Sequence, residues 1–281
     1  MPRRLLPIVI FSCLLAGCFA SDDNDSAGDS TLTLSLTDGA IDFADQVNLE
    51  ISGVELKSNS EVHTFDFDTR TINLLDLQGS QSEALFTDEV LPAGDYQWVR
   101  LKVESASIVL SVNGGEIPLT IPSADQSGFK LVSGFTLPAN ASADFTLELD
   151  VRKSIAVTGQ MDNLSYTLRP TMRLVNNIKI GHLAGSVEGT LCDAEASMAV
   201  YAYDDHDATV GQEASDNPPV ASSLVSAALD YEIGYLVTGN YTITVACIDD
   251  MDTVDVSDED VSFIGTQNAT VNANQTGSYS F

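Results

Sequence analysis

Phe145-Thr146-Leu147-Glu148-Leu149-Asp150-Val151 alternates apolar and polar residues without a break. Successive side chains of a strand point to opposite faces, so this period of two predicts a β-strand with Phe145, Leu147, Leu149 and Val151 on a core. The same rhythm recurs on both sides. Leu32, Leu34 and Leu36 alternate with threonine and serine, and Val47, Leu49 and Ile51 follow. Val99, Leu101 and Val103 alternate with Arg100, Lys102 and Glu104. Further on, Tyr241, Ile243, Val245 and Cys247 share one face of another strand. Helical periodicity is scarce, so the fold class expected is all-β.

Turn signals separate the strands. Ile108–Val112, Asn113-Gly114-Gly115 and Ile117–Ile121 predict a hairpin. Phe129–Phe135 reads as one strand, Ile72–Leu77 as a central strand or a short buried turn, and Ser222–Ile233 as a strand pair or a brief helix. One pattern occurs twice: Leu91-x-x-Gly94-Asp95-Tyr96 and Leu236-x-x-Gly239-Asn240-Tyr241, each ahead of an alternating strand. Glycine there permits positive φ, so both halves are expected to launch a strand from the same turn.

The first residues carry a different signal. Arg3 and Arg4 precede an apolar run, Leu5–Ala16, too short for the roughly 20 residues a membrane-spanning helix needs. Residues 1–17 therefore read as a signal peptide. It ends in Leu15-Ala16-Gly17-Cys18, which resembles the bacterial lipobox. That resemblance implies cleavage before Cys18 and lipid, palmitate included, on its thiol; an ordinary secretory peptide with a chance cysteine is the alternative. Phe19, rather than aspartate, follows the cysteine and resembles an outer-membrane sorting signal. Residues 18–30 make the lipidated cysteine and an acidic, flexible tether (Ser21–Ser30, SDDNDSAGDS). The order expected is two β-sandwich-like modules in tandem after that tether, at 31–177 and 181–281. The location expected is the bacterial envelope, lipid-anchored to the outer membrane, with the membrane itself as first partner.

The chain has 12 basic and 41 acidic residues. Loss of Arg3 and Arg4 leaves ten against 41, a balance of −31. Such a charge opposes nucleic acid, and no nucleic-acid partner is expected. Most of the acids read as solvated surface.

Motifs of catalysis are missing from the sequence. It holds no G-x-S-x-G elbow, Walker loop or H-E-x-x-H, and His63, His182 and His206 are not at metal-ligand spacings. Glu148 and Asp150 alternate with core residues and are expected on an outward face, not as an acid/base pair. The protein is therefore expected not to be an enzyme and to need no cofactor. Calcium is the one candidate cofactor. Asp249, Asp250, Asp252 and Asp255 lie in an acidic loop, as do Asp204, Asp205 and Asp207 in another, but the EF-hand pattern is missing. A solvated loop is the competing reading. Cys192 and Cys247 are the cysteines left beside Cys18 after processing, since Cys13 leaves with the signal peptide. In an oxidising compartment they are disulfide candidates, with two buried thiols as the alternative. Trp98 with Tyr96 is a candidate sugar-stacking platform, against packing on a neighbouring strand; Tyr201 is a further aromatic contact.

Residues 31–177 resemble the bacterial family called domain of unknown function 4382. The resemblance rests on Leu36-Thr37-Asp38-Gly39-Ala40, Leu49-Glu50-Ile51-Ser52-Gly53-Val54-Glu55-Leu56, Leu74-Leu75-Asp76-Leu77, Leu91-Pro92-Ala93-Gly94-Asp95-Tyr96, Phe129-Lys130-Leu131-Val132-Ser133-Gly134-Phe135 and Leu168-Arg169-Pro170. It implies a lipoprotein and no known activity. Residues 181–281 are similar to the prealbumin-like or carboxypeptidase regulatory-like sandwiches in Gly185-Ser186-Val187, Val200-Tyr201-Ala202-Tyr203 and Gly239–Val245. Those modules serve as spacers or bind carbohydrate. The function expected is thus a non-catalytic, membrane-anchored structural or interaction protein with an unknown protein or glycan partner. A carbohydrate-binding surface lipoprotein is the alternative.

Overall fold

The computed structural model describes residues 28–38, 44–111, 114–122, 128–160, 163–193, 196–212, 215–248 and 261–281. The first part holds β1 (Asp29–Asp38), β2 (Ala44–Ser58), β3 (Val62–Asn73), β4 (Glu83–Pro92), β5 (Gly94–Leu110), β6 (Glu116–Pro118), β7 (Phe129–Leu131), β8 (Phe135–Leu137), β9 (Ser142–Asp150), the one-turn α1 (Val151–Ser154), β10 (Ile155–Gln160), β11 (Asn163–Leu168) and β12 (Thr171–Asn176). One sheet runs β12-β9-β1-β4, with β1 and β9 parallel. The other runs β3-β2-β5-β6, with β7 and β8 also pairing β5. The predicted alternation fills the space between them: Leu32, Leu34, Leu36, Leu49, Leu101, Leu147 and Leu149 are all buried there.

The second part holds β13 (Ile180–Ser186), β14 (Ser197–Asp204), β15 (Ala221–Leu224), β16 (Asp230–Val237), β17 (Gly239–Ile248), β18 (Val261–Val271) and β19 (Thr276–Ser278). Sheets β16-β13-β19 and β15-β14-β17-β18 face each other over Leu183, Val200, Ile233, Ile243 and Val245. The protein is all-β, built as sandwich-like modules. Among the described residues, every strand ladder stays on its own side of the Asn177–Lys179 turn.

Several local expectations resolve. Ile72–Leu77 becomes the end of β3 and a 3-10 turn, capped by Asn73 Oδ1 accepting from the Leu75 N–H. Ser222–Ile233 contributes to two strands, β15 and β16, which pair with β14 and β13 in different sheets and not with each other. Phe129–Phe135 is not one strand; Val132-Ser133-Gly134 interrupts it between β7 and β8. The repeated turn is real in both places. Tyr96 Oη donates to the Pro92 carbonyl at 3.0 Å, and Tyr241 Oη to the Val237 carbonyl at 2.6 Å. Each tyrosine thus ties its strand to the chain four residues earlier, as tyrosine corners do. Only Gly94 of the two glycines takes positive φ, at 137°.

Candidate functional site

Among the described residues, three places bring chemistry-bearing side chains together. The first is the outer face of the six-stranded sheet. Trp98 lies there, but Tyr96 does not. The register steps from the Lys57–Trp98 pair to the Ser58–Tyr96 pair, a β-bulge that takes up Gln97. Residues two apart then point to opposite faces. Tyr96 is 2% exposed and stacks on Phe135, centroids 5.0 Å apart. The paired Trp98–Tyr96 platform is therefore corrected: Tyr96 is core. Tyr201 is likewise buried, at 0% exposure, and presents no contact surface.

Trp98 is half-buried amid cations. The Arg100 guanidinium lies 4.8 Å and the Lys130 ammonium 4.6 Å from its ring centroid. Arg100 and Lys130 are directly opposed across β5 and β7, where like charges repel. The indole's negative face and Glu55, 2.7 Å from Arg100, offset that repulsion. Lys102 pairs Asp66 at 2.7 Å.

The second place is the junction of the two parts. Here Glu148, expected on a solvated face, is only 8% exposed. The correction has a simple cause: β16 and the Val220–Ser222 segment cover the outward side of β9 and β12. Arg173 Nη2 donates to Glu148 Oε2 at 2.6 Å and to the Tyr235 carbonyl at 3.2 Å. Lys153 Nζ pairs Asp150 at 3.0 Å and donates to the Pro219 carbonyl at 2.9 Å. Arg152 is buried 5.6 Å from the Tyr201 ring centroid. Gly79, at φ +66°, and Gly234 meet so closely that a Cβ on Gly234 would stand 1.8 Å from the Gly79 carbonyl oxygen. Ser80 donates to Glu232 at 3.1 Å and accepts at its carbonyl from Tyr235 Oη at 3.2 Å. Burial pushes the Glu148 carboxyl above its usual range, and Arg173 draws it back. Burial pulls His182 down, opposed by Glu232, while the Tyr235 N–H reaches its Nδ1 at 3.4 Å.

The third place borders the junction. An open groove of about 720 Å³ runs between the Gln78–Gly79 turn and β13, β15 and β16. Ser186, Ser223, Asp230 and Glu232 line it, and Tyr231 turns its hydroxyl away to the Tyr279 carbonyl. The lining offers hydroxyls and carboxylates but no cation.

The remaining sequence candidates separate. Cys192 and Cys247 are joined by a disulfide, their Cα atoms 5.5 Å apart. His206 Nε2 is bonded to the Ala269 carbonyl at 3.1 Å, and Asp207 accepts from Asn268 at 2.9 Å. Cys18 and the candidate calcium ligands Asp249, Asp250, Asp252 and Asp255 lie outside the described residues. Among the described residues, no three His, Cys, Asp or Glu side chains form a group able to hold a metal ion. Among them, too, no helix is long and apolar enough to cross a membrane. The junction was not legible in the sequence. Its one signal was Glu148 and Arg173, each alternating with apolar residues on strands that turn out to be neighbours.

Comparison with curated proteins gives no match. Solved structures align along the chain with low coordinate agreement. The TIE protein of Bacillus anthracis is 11% identical over 90% of this chain and 34% of its own, with a TM-score of 0.23. This chain thus spans about a third of that protein's length. The minor pilin of Streptococcus agalactiae is 8% identical over 89% of this chain and 94% of its own, TM-score 0.21. The major pilin subunit of Bacillus cereus is 8% identical over 90% and 99%, TM-score 0.23. At these values the likenesses carry no argument. The family model described as Domain of unknown function (DUF4382) matches residues 29–170, the whole first sandwich up to the turn before β12, and the chain belongs to that family.

Proposed function

We propose that the chain is exported, lipidated on Cys18 and held on the bacterial envelope, where it acts as a non-catalytic structural or interaction protein. The observation that carries this reading is Leu15-Ala16-Gly17-Cys18 behind an apolar run of signal-peptide length. Several acyl chains on one cysteine hold firmly, since each buried CH₂ contributes about 0.8 kcal/mol. Phe19 favours the outer membrane as the destination. The acid-rich residues between Cys18 and β1 then act as spacer. The non-catalytic part of the reading is supported by the sequence, which holds no G-x-S-x-G elbow, Walker loop or H-E-x-x-H. Cys18→Ala tests the anchor. The variant should accumulate uncleaved or appear in the soluble fraction; a processed variant that still fractionates with membranes overturns the proposal. Glycan binding is the second reading, favoured by one observation: Trp98 remains on an outward face, between Arg100 and Lys130.

A further inference from the structure

One end of the outer face of the six-stranded sheet departs from the rest of this acidic protein, while Glu50, Glu104 and Glu116 occupy the other end. Antiparallel register sets Val62 beside Lys57 and Lys57 beside Trp98. Val132 follows Leu131 of the Val99–Leu131 pair, so it comes level with Trp98. The row Val62–Lys57–Trp98–Val132 crosses four strand positions and contains no acid. At about 4.8 Å per step it is roughly 14 Å long. Its valines are 44% and 76% exposed, high values for a β-branched apolar side chain on a sheet face. Trp98 is the only tryptophan of the chain. The next row is Thr64–Glu55–Arg100–Lys130. There Arg100 is matched by Glu55, whereas neither Lys130 nor Lys57 has a carboxylate within ion-pair distance among the described residues. Two cations without a carboxylate partner, one of them over the indole, and exposed methyls thus share one strip.

We propose that this strip binds a linear anionic polysaccharide, a chain of sugars carrying carboxylate or sulfate groups. Lys57 and Lys130 match the anionic groups, and the two valines with the part of the half-buried Trp98 not covered by Arg100 and Lys130 meet the apolar faces of the rings. The choice of a narrow chain over a membrane surface follows from what surrounds the strip. Glu61 and Asp95 flank one side and Asp66 the other, and Glu61 and Asp66 have side chains 66% and 69% exposed. A bilayer of anionic lipid would meet these acids as well as the lysines; a single chain lying obliquely over the two rows meets Lys57 and Lys130, with the Glu55 between them tied to Arg100. The proposal deepens the interaction reading above and rests on it only for export to where such polymers occur.

The full chain, purified in detergent micelles, is titrated with polygalacturonate oligomers while the fluorescence of its single tryptophan is followed. Saturable change is expected, weakened by salt and weakened at least tenfold in Lys57→Gln/Lys130→Gln. Trp98→Phe, followed by affinity electrophoresis in gels containing polygalacturonate, should lose most retardation. Each side chain is on the outer face, and circular dichroism and melting temperature verify that the variants fold. No response to millimolar oligomer overturns the proposal, as does equal binding by the lysine variant. Equal binding of neutral dextran overturns the anionic class. Binding of phosphatidylglycerol vesicles without polygalacturonate overturns the polysaccharide in favour of a membrane surface. Cleavage and fractionation of the Cys18→Ala variant report on the anchor separately, so either reading can fail alone.

Discussion

Replacing Arg173 by methionine keeps most of the side-chain volume at the junction and removes the cation that faces Glu148 at 2.6 Å. Were the two sandwiches independent, both residues would lie on a wet sheet face, and such a pair is worth about 0–1 kcal/mol. In the joined molecule Glu148 is 8% exposed. Stranding a buried carboxylate by removing its partner costs about 3–5 kcal/mol. For sandwiches of this size that lowers the melting temperature by on the order of 10 °C. The effect should also depend on pH. Burial already raises the Glu148 carboxyl, and loss of Arg173 raises it further. A raised carboxyl binds its proton more tightly in the folded state, so stability falls as pH rises above the usual carboxylate range. The penalty should be largest near neutral pH and shrink to about 1 kcal/mol, the lost bond to the Tyr235 carbonyl, near pH 4.5. Calorimetric melting of Arg173→Met across that range checks this, with Arg173→Met/Glu148→Leu as the companion. The double variant should recover most of the loss. A single variant that melts within about 2 °C of the parent at every pH would show that the junction does not persist in solution.

Cys192→Ser/Cys247→Ser opens a bridge spanning 55 residues of sequence. The chain-entropy model gives a loss of about 4 kcal/mol, measured by urea unfolding; full alkylation of both thiols in the unreduced native protein would contradict it. Gly234→Ala should cost about 2 kcal/mol, because its Cβ meets the Gly79 carbonyl oxygen at 1.8 Å and backbone must give way. Gly239→Ala is the control, with its nearest neighbour at 3.7 Å, and a similar loss at both positions would sink the wedge argument. Tyr96→Phe and Tyr241→Phe should each cost about 1 kcal/mol in thermal melts, since each frees one carbonyl from a corner bond. Unchanged melts would mean that water replaces both bonds without loss.

What the sequence made legible follows from what period two encodes. It says which side chains share a face, and Leu147, Leu149, Val99 and Leu101 are buried as read. It also marks turns, because Leu-x-x-Gly launches Tyr96 and Tyr241 into matching corners. Period two does not say what covers the polar face. Glu148 and Asp150 sit opposite β16 and the Val220–Ser222 segment, and nothing local announces that contact. Nor does it survive an inserted residue: the bulge at Gln97 turned Tyr96 away from Trp98. The parallel pairing of β1 with β9 joins Leu34 to Phe145, far apart in sequence, and long-range pairing leaves no local trace.

Charge bears on how the two sandwiches are held together. A chain with 41 acids has little reason to hold two acid-rich sandwiches in contact, since their surfaces repel. Its few bases are placed against that tendency. Arg152, Lys153 and Arg173 come from α1 and β12 and reach across to Tyr201, Pro219 and Tyr235. Salt screens exposed charges far more than buried pairs. Raising ionic strength therefore relieves the repulsion between the sandwiches and screens the Glu148–Arg173 contact less, because Glu148 is buried although the Arg173 side chain is 34% exposed. The junction is expected to tighten where salt is high, whereas half-buried Lys57 and exposed Lys130 on the six-stranded sheet would weaken the proposed hold on an anionic polymer under the same conditions. One ionic variable would thus act in opposite directions on the two groups of bases, stiffening the body while loosening the proposed grip.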